Sequence, residues 1–289
     1  MTDTAALPEF NDPGGEEVPL LGGDVTDGLV RVGDTVRRPR GSAPSAVPRL
    51  LTALASIGFA GAPRYLGVDA QNRDVLTYLT GEVAGRPWPA WVADESRIAS
   101  VARLVRAYDD AVAPLGVPEW ARAMRMPDPP GTPPSIAGTP VLIGHLDITP
   151  ENVVFTNGRA SALIDFDLAR PATRAEEVCN MLLWWGAWMP PADREPVLRN
   201  TDASARAAVL VNAYRLDPAD RARLVALSIN GADRSWHLMK YRSETLGGGW
   251  RRMWDAGVGE RIRRRQFWLE RNRSTLDAAV TATPAAEAQ

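Results

Sequence analysis

The stretch His145-Leu-Asp-Ile-Thr-Pro-Glu-Asn-Val-Val-Phe155, followed by Ile164-Asp-Phe-Asp167, decides the fold. It sets a carboxylate at Asp147, an amide at Asn152 and a second carboxylate at Asp165, each beside a short apolar run. Phosphoryl transfer to a hydroxyl needs that set. One carboxylate accepts the proton of the attacking oxygen, while an amide oxygen and another carboxylate hold Mg²⁺ against nucleotide phosphates. The spacing therefore makes Asp147 the candidate base and Asn152 and Asp165 the candidate metal ligands.

The flanking residues predict a hairpin. Val141-Leu-Ile-Gly144 and Asn152-Val-Val-Phe155 read as strands, Asn157-Gly158 is a strong two-residue turn signal, and Ser161-Ala-Leu-Ile164 returns. Asp147 and Asn152 then bracket a loop, and Asp165 leaves the end of the returning strand. H-x-D-x-x-x-x-N is the catalytic-loop spacing of protein kinases with Leu146 in place of the middle Arg, and Asp165-Phe-Asp167 stands where kinases carry Asp-Phe-Gly.

With Gly144-His-Leu-Asp147, Asn152-Val-Val and Leu163-Ile-Asp-Phe-Asp167, the chain resembles the aminoglycoside phosphotransferase family of small-molecule kinases. Val30 to Pro39 and Ala62-Pro-Arg-Tyr-Leu-Gly67 look like the family too. The family usually has His-Gly-Asp, so Leu146 adds bulk beside the base. The resemblance implies an α+β, two-lobed protein-kinase-like fold. Its N-lobe is a small antiparallel sheet with one helix, and its C-lobe is larger and mostly helical. It also implies ATP or GTP as co-substrate, Mg²⁺ as cofactor and a small-molecule acceptor such as an aminoglycoside or other natural product. Two alternatives stay open: a nucleotide- or ligand-binding pseudokinase acting as an immunity or regulatory factor, and a kinase of peptide Ser or Thr.

On the nucleotide side, Gly22-Gly23 between strands can bring backbone close to phosphates. The resemblance makes Thr77 to Thr80 a hinge whose backbone bonds adenine, with Thr77 and Leu79 as the contacts. Kinases place a Lys on the third strand. Here Lys240, far downstream, is the only lysine. Strand alternation sets Val36 and Arg38 on one face, so Arg38 is the candidate phosphate contact and Arg37 is expected to point outward. No Asp or Glu lies between Asp34 and Asp69. The helix expected over 44–57 therefore offers Arg38 no partner, and nucleotide alone is expected to balance its charge.

On the acceptor side, Asp167, Glu176 and Glu177 follow the candidate metal carboxylate and are expected to attract a cationic acceptor. Asp109, Asp110, Glu119 and the basic run Arg261 to Arg265 read as solvated surface, since no aromatic platform accompanies the run.

A formal net charge of −2 gives no basic field for nucleic acid, and a single cysteine excludes an internal disulfide framework. No apolar run approaches the ~20 residues of a membrane span, and no secretory signal is visible at Met1. The expectation is a cytoplasmic monomer or weak dimer with no nucleic-acid or membrane partner. Its parts are a disordered tail over 1–16, a nucleotide lobe over 17–80, a helical lobe over 81–282 holding the hairpin 141–167, and a disordered tail over 283–289. Helices are expected over 91–113, 173–187, 203–214, 218–246 and 258–281.

Overall fold

The computed structural model describes residues 7–11, 14–20, 28–40 and 45–282. Its first part is an antiparallel sheet of β1 (Val18–Pro19), β2 (Val30–Val32), β3 (Thr35–Pro39), β4 (Tyr65–Val68) and β5 (Arg73–Thr77), in the order β1-β2-β3-β5-β4. β2 and β3 join through Gly33-Asp34, where Gly33 takes a left-handed φ of 56°. Helix α1 (Ala46–Ser56) crosses the sheet. Leu50, Leu51 and Leu54, the last three and four residues beyond the other two, are fully buried, which is what ties an 11-residue helix to a small sheet.

Residues 7–10, expected within a disordered tail, instead run along β4. Val68 N donates to Pro8 O and Phe10 N to Val68 O. Gly67 permits this, because a Cβ there would lie 2.5 Å from Pro8 O. The tail expectations at 1–6, 12–13 and 283–289 lie outside the described residues.

The chain leaves β5 at Thr77 and is caught again at Glu82, whose backbone exchanges two 2.8 Å hydrogen bonds with Phe155. Beyond lie α2 (Glu95–Val112), α3 (Glu119–Arg122), β6 (Leu142–Gly144), β7 (Val153–Thr156), β8 (Arg159–Leu163), β9 (Arg170–Ala172) and α4 (Arg174–Trp184). The chain ends in α5 (Ala203–Tyr214), α6 (Pro218–Arg221), α7 (Leu224–Thr245), α8 (Gly248–Asp255), α9 (Val258–Arg271) and α10 (Arg273–Thr281). The helix expected over 218–246 is broken at Ala222–Arg223 into α6 and α7. That expected over 258–281 is broken at Asn272, and α8 was not foreseen.

The core of this larger lobe is built on α2, whose Ile98, Val101, Ala102, Val105, Tyr108 and Val112 are all fully buried. Each large aliphatic side chain so buried contributes roughly 1.5–3 kcal/mol. β7 and β8 form the expected hairpin over Asn157 (φ 52°) and Gly158 (φ 73°), the two left-handed residues of a type I′ turn. β6 pairs with β9, and Gly144 opposite Arg170 is the last rung. Both strands open from that rung into the loops carrying Asp147 and Asp165. Among the described residues no helix is long and apolar enough to cross a membrane.

Candidate active site

The loop from His145 to Asn152 is fastened from three sides. His145 is fully buried, and burial lowers its pKa to about 4. It is therefore neutral, and its neighbours fix the tautomer. Nε2–H donates to Ile164 O at 3.0 Å, leaving Nδ1 to accept from Asp147 N at 3.3 Å. Ile164 N donates to Asn152 O at 2.9 Å, which stitches the end of β8 to the same loop. The third fastening comes from α4. The fully buried Glu177 carboxylate accepts the N–H of His145 and, at 3.2 Å, that of Leu146. Asn180, three residues along the same face, accepts from Ile148 N at 2.7 Å and donates to Leu146 O at 2.8 Å. Trp185 Nε1 donates to Ile148 O at 2.9 Å.

These ties hold Leu146 at φ 59°, a left-handed conformation that costs a non-glycine residue roughly 1–2 kcal/mol. They also explain Gly144, where a Cβ would sit 2.7 Å from Glu177 Oε1.

The loop so held presents Asp147. Asn152 Nδ2 donates to both Asp147 O and Asp147 Oδ2 at 2.9 Å, leaving the amide oxygen of Asn152 for another partner. Burial and the neighbouring Asp165 raise the Asp147 pKa to about 7 against that hydrogen bond. Asp165, at φ 61°, keeps 42% of its side chain accessible, although burial and Asp167 both push its pKa upward. Asp165 is thus open to solvent at the mouth of the recess between the loop and β3 while its neighbours press on it. Three carboxylates thus converge there.

Arg38 faces them from β3. Its guanidinium pairs with Asp167 and, at 3.8 Å, with Asp165, and only 9% of its side chain is accessible. The orientation into the cleft is as the strand alternation requires. The expectation that nucleotide alone balances its charge is corrected, because two carboxylates of the other lobe already do so. Asp74, its register partner on β5, adds a third. Arg37 does not point outward. It is 1% exposed, donates to Thr35 Oγ1, lies 3.7 Å from Asp69 and stacks 4.8 Å from the Phe10 ring. The N-terminal segment, unplaceable from sequence, provides that cover.

Val36 is half-buried in β3, opposite Leu76. Thr77 and Leu79 lie where the chain passes between lobes. Thr77 N donates to Arg64 O, its Oγ1 accepts from Arg64 N, and Tyr78 N donates to Asp34 O. Gly22 and Gly23 lie outside the described residues.

The acceptor-side carboxylates are corrected. Glu176 closes the capping box of α4 with Thr173 and lies 3.6 Å from Arg170. Glu177 faces the core as described. Asp109 is also not surface: it is fully buried and accepts from Tyr214 Oη of α5. In the run 261–265, Arg261 and Arg264 are exposed as expected, while Arg263 bonds Asp233, Arg264 bonds Asp193 and Arg265 donates to Trp188 O. The sequence did hold a signal for the α4 contacts. Thr173-x-x-Glu176 marks a helix start, and it puts Glu177 and Asn180 on one face.

The phosphotransferase enzyme family model matches residues 36–210. A curated relative, the trifolitoxin immunity protein of Rhizobium leguminosarum bv. trifolii, is 27% identical over 280 residues, covering 92% of this chain and 99% of that one. Among solved structures, a choline/ethanolamine kinase family protein from Mesorhizobium loti superposes with a TM-score of 0.55 at 16% identity, over 92% of each chain. The macrolide 2′-phosphotransferase MphH from Brachybacterium faecium does so with 0.52 at 14% identity, over 95% and 94%. The two solved structures share the fold of this chain.

Proposed function

The chain belongs to the phosphotransferase enzyme family, and from that premise we propose that it transfers the γ-phosphoryl group of ATP or GTP to a hydroxyl of a small molecule. The observation that carries this reading is Asp147, oriented by Asn152 on a loop bound down by backbone hydrogen bonds and facing the recess of Asp165. The acceptor oxygen attacks the γ-phosphorus, its proton passes to the Asp147 carboxylate, and the bond to the β,γ-bridging oxygen breaks to release the diphosphate. Asn152 stops the carboxylate from rotating. His145, neutral and fixed at both ring nitrogens, sets the backbone beneath it.

The residues present fit Mg²⁺. Among the described residues no cluster of three or more His, Cys, Asp or Glu has the geometry of an all-protein metal cage. Magnesium does not require one, being bound by one or two carboxylates together with water and phosphate oxygens. Asp165 and the amide oxygen of Asn152 would hold it, and the excess negative charge of Asp147, Asp165 and Asp167 favours a dication. Bound there, it would offset the charge of the phosphates. Arg38 supplies the cation on the small-lobe side.

The test is phosphate transfer from ATP and from GTP, with Mg²⁺, to pooled alcohols. Turnover that vanishes in Asp147→Asn with nucleotide binding intact is the expected result. Wild-type turnover in that variant sinks the assignment.

A second reading has its own support. The relative named for immunity aligns along 92% of this chain, and Arg38 is paired to the two carboxylates it would have to leave. A chain of this kind would protect by binding its ligand without turnover. Protection that survives Asp147→Asn in cells would favour it.

A further inference from the structure

Four arginines gather behind the last rung of the β6–β9 pair. Arg170 leaves β9 opposite Gly144, and Arg125, Arg234 and Arg242 all lie within its electrostatic reach, directly or through one another. The carboxylates facing them are few. Asp128 accepts from Arg234 at 2.6 Å and lies 3.5 Å from Arg125. Glu176 lies 3.6 Å from Arg170 but already binds Thr173 through its other oxygen. Glu177 is turned to the backbone of the 145–148 loop.

Arg242 is the odd member. Among the described residues it makes no ion pair. It donates to Met126 Sδ at 3.6 Å and stacks 4.3 Å above the Trp250 ring. Burial, followed by the like charge of Arg170, lowers its pKa to about 10. A desolvated guanidinium beside another guanidinium, with no carboxylate of its own, is costly unless an anion joins it. Arg170 keeps 37% of its side chain accessible and Arg125 44%, so an anion can reach them. Burial nonetheless depresses the Arg170 pKa.

The place matters as much as the charge. The Cα atoms of a cross-strand pair lie ~5 Å apart, and three residues from Gly144 to Asp147 span at most ~11 Å. The Arg170 backbone is therefore within roughly 16 Å of the base, and an arginine side chain shortens the gap. Of the carboxylates expected to draw a cationic acceptor, Glu176 and Glu177 are occupied in structural bonds and Asp167 is paired with Arg38. Around Arg170, by contrast, the neighbouring charge is mostly positive.

Resting on the phosphotransferase reading, we propose that the acceptor is an anionic alcohol, its carboxylate or phosphate ester seated among Arg125, Arg170, Arg234 and Arg242 while its hydroxyl meets Asp147. Planar guanidinium groups match either anion with paired hydrogen bonds, and Trp250 and Met126 give the carbon skeleton an apolar wall.

The full chain, saturated with Mg²⁺ and a non-hydrolysable ATP analogue so that the nucleotide site is filled, is titrated calorimetrically in chloride buffer. The probes are glycerate, glycerol 3-phosphate and ethanolamine. Binding of an anionic probe is expected, weakened about tenfold or more in Arg242→Gln and in Arg125→Gln, and unchanged in Arg273→Gln, an exposed control on α10. Arg125 is accessible enough that its variant tests the site even if Arg242→Gln unfolds. The stronger of the two anions identifies the source as carboxylate or phosphate ester. Anion binding that is absent, or equal in all variants, overturns the proposal. Asp147-dependent transfer to ethanolamine without anion binding would leave the phosphotransferase reading standing and remove this one. Arginine-dependent anion binding with no transfer to any alcohol would do the reverse.

Discussion

The loop carrying Asp147 and the corner carrying Arg38 meet in one cleft but are built on opposite terms. The loop is held by buried backbone hydrogen bonds to Glu177, Asn180, Trp185 and the ring of His145, none of which a ligand can replace. Arg38 is held by ion pairs to Asp165 and Asp167, whose side chains are 42% and 33% accessible. Phosphate or a dication can exchange with those contacts. The protein thus fixes the group that must be aimed and leaves free to rearrange the groups that must bind and release.

That contrast is broken most decisively at Asp147. Asp147→Asn should lower turnover on the order of 10²–10⁴-fold with nucleotide affinity little changed, as steady-state kinetics and calorimetry will show. A residual rate near wild type would mean that the rigid loop aims something else.

Next in size is the support beneath. Glu177→Ala strands the N–H groups of His145 and Leu146 in the core, each costing about 1–3 kcal/mol. Denaturant unfolding should show a loss of about 2–5 kcal/mol, with Glu177→Gln recovering part of it through its remaining oxygen. A loss below about 0.5 kcal/mol, the scale of ordinary surface substitutions, would show that the loop holds itself.

At the exchangeable corner the effect is smaller and has two signs. Arg38→Ala should weaken ATP binding by ~1–3 kcal/mol, because a charge-assisted contact is lost. It should also tighten binding of Mg²⁺ alone, because Asp165 and Asp167 are released. If both ligands move in the same direction, Arg38 does not stand between them. Arg37→Ala, behind the sheet, should cost fold stability and leave ATP affinity alone.

The smallest effect concerns pH. Burial raises the Asp109 pKa to about 7, opposed by its bond from Tyr214 and by Arg174. A carboxyl whose folded pKa lies above the unfolded value of about 3.9 stabilises the fold fully below that value, and the contribution is lost as pH rises towards 7. Melting temperature should therefore fall from pH 4 towards pH 8. Asp109→Asn should flatten that slope by about 1 kcal/mol, well inside the ~4 kcal/mol that three pH units allow. An unchanged slope would place the titration elsewhere.

What was legible in the sequence was local. Asp147, Asn152 and Asp165 lie within one hairpin, so spacing and turn chemistry put them together. Strand alternation likewise aimed Arg38 into the cleft. What escaped was long-range. Asp109 looked like surface because Tyr214, which caps it, is 105 residues away. The partners of Arg38 lie up to 129 residues off in the other lobe, and the cover over Arg37 comes from a segment whose composition suggests no structure. Glu177 was misjudged for a different reason. Its acidity suggested a ligand, whereas its position on α4 turned it towards backbone N–H groups in the core.

The distribution of indoles has an optical consequence. All ten tryptophans lie from Trp88 onward, so the sheet that carries Arg38 has no indole of its own. Trp88 Nε1 donates to Glu151 at 2.9 Å, one residue from Asn152, and its ring meets Trp184 edge-on at 6.4 Å. Intrinsic emission therefore reports the larger lobe, the wall beside the candidate base included, and melting of the small sheet on its own should pass with little change in colour.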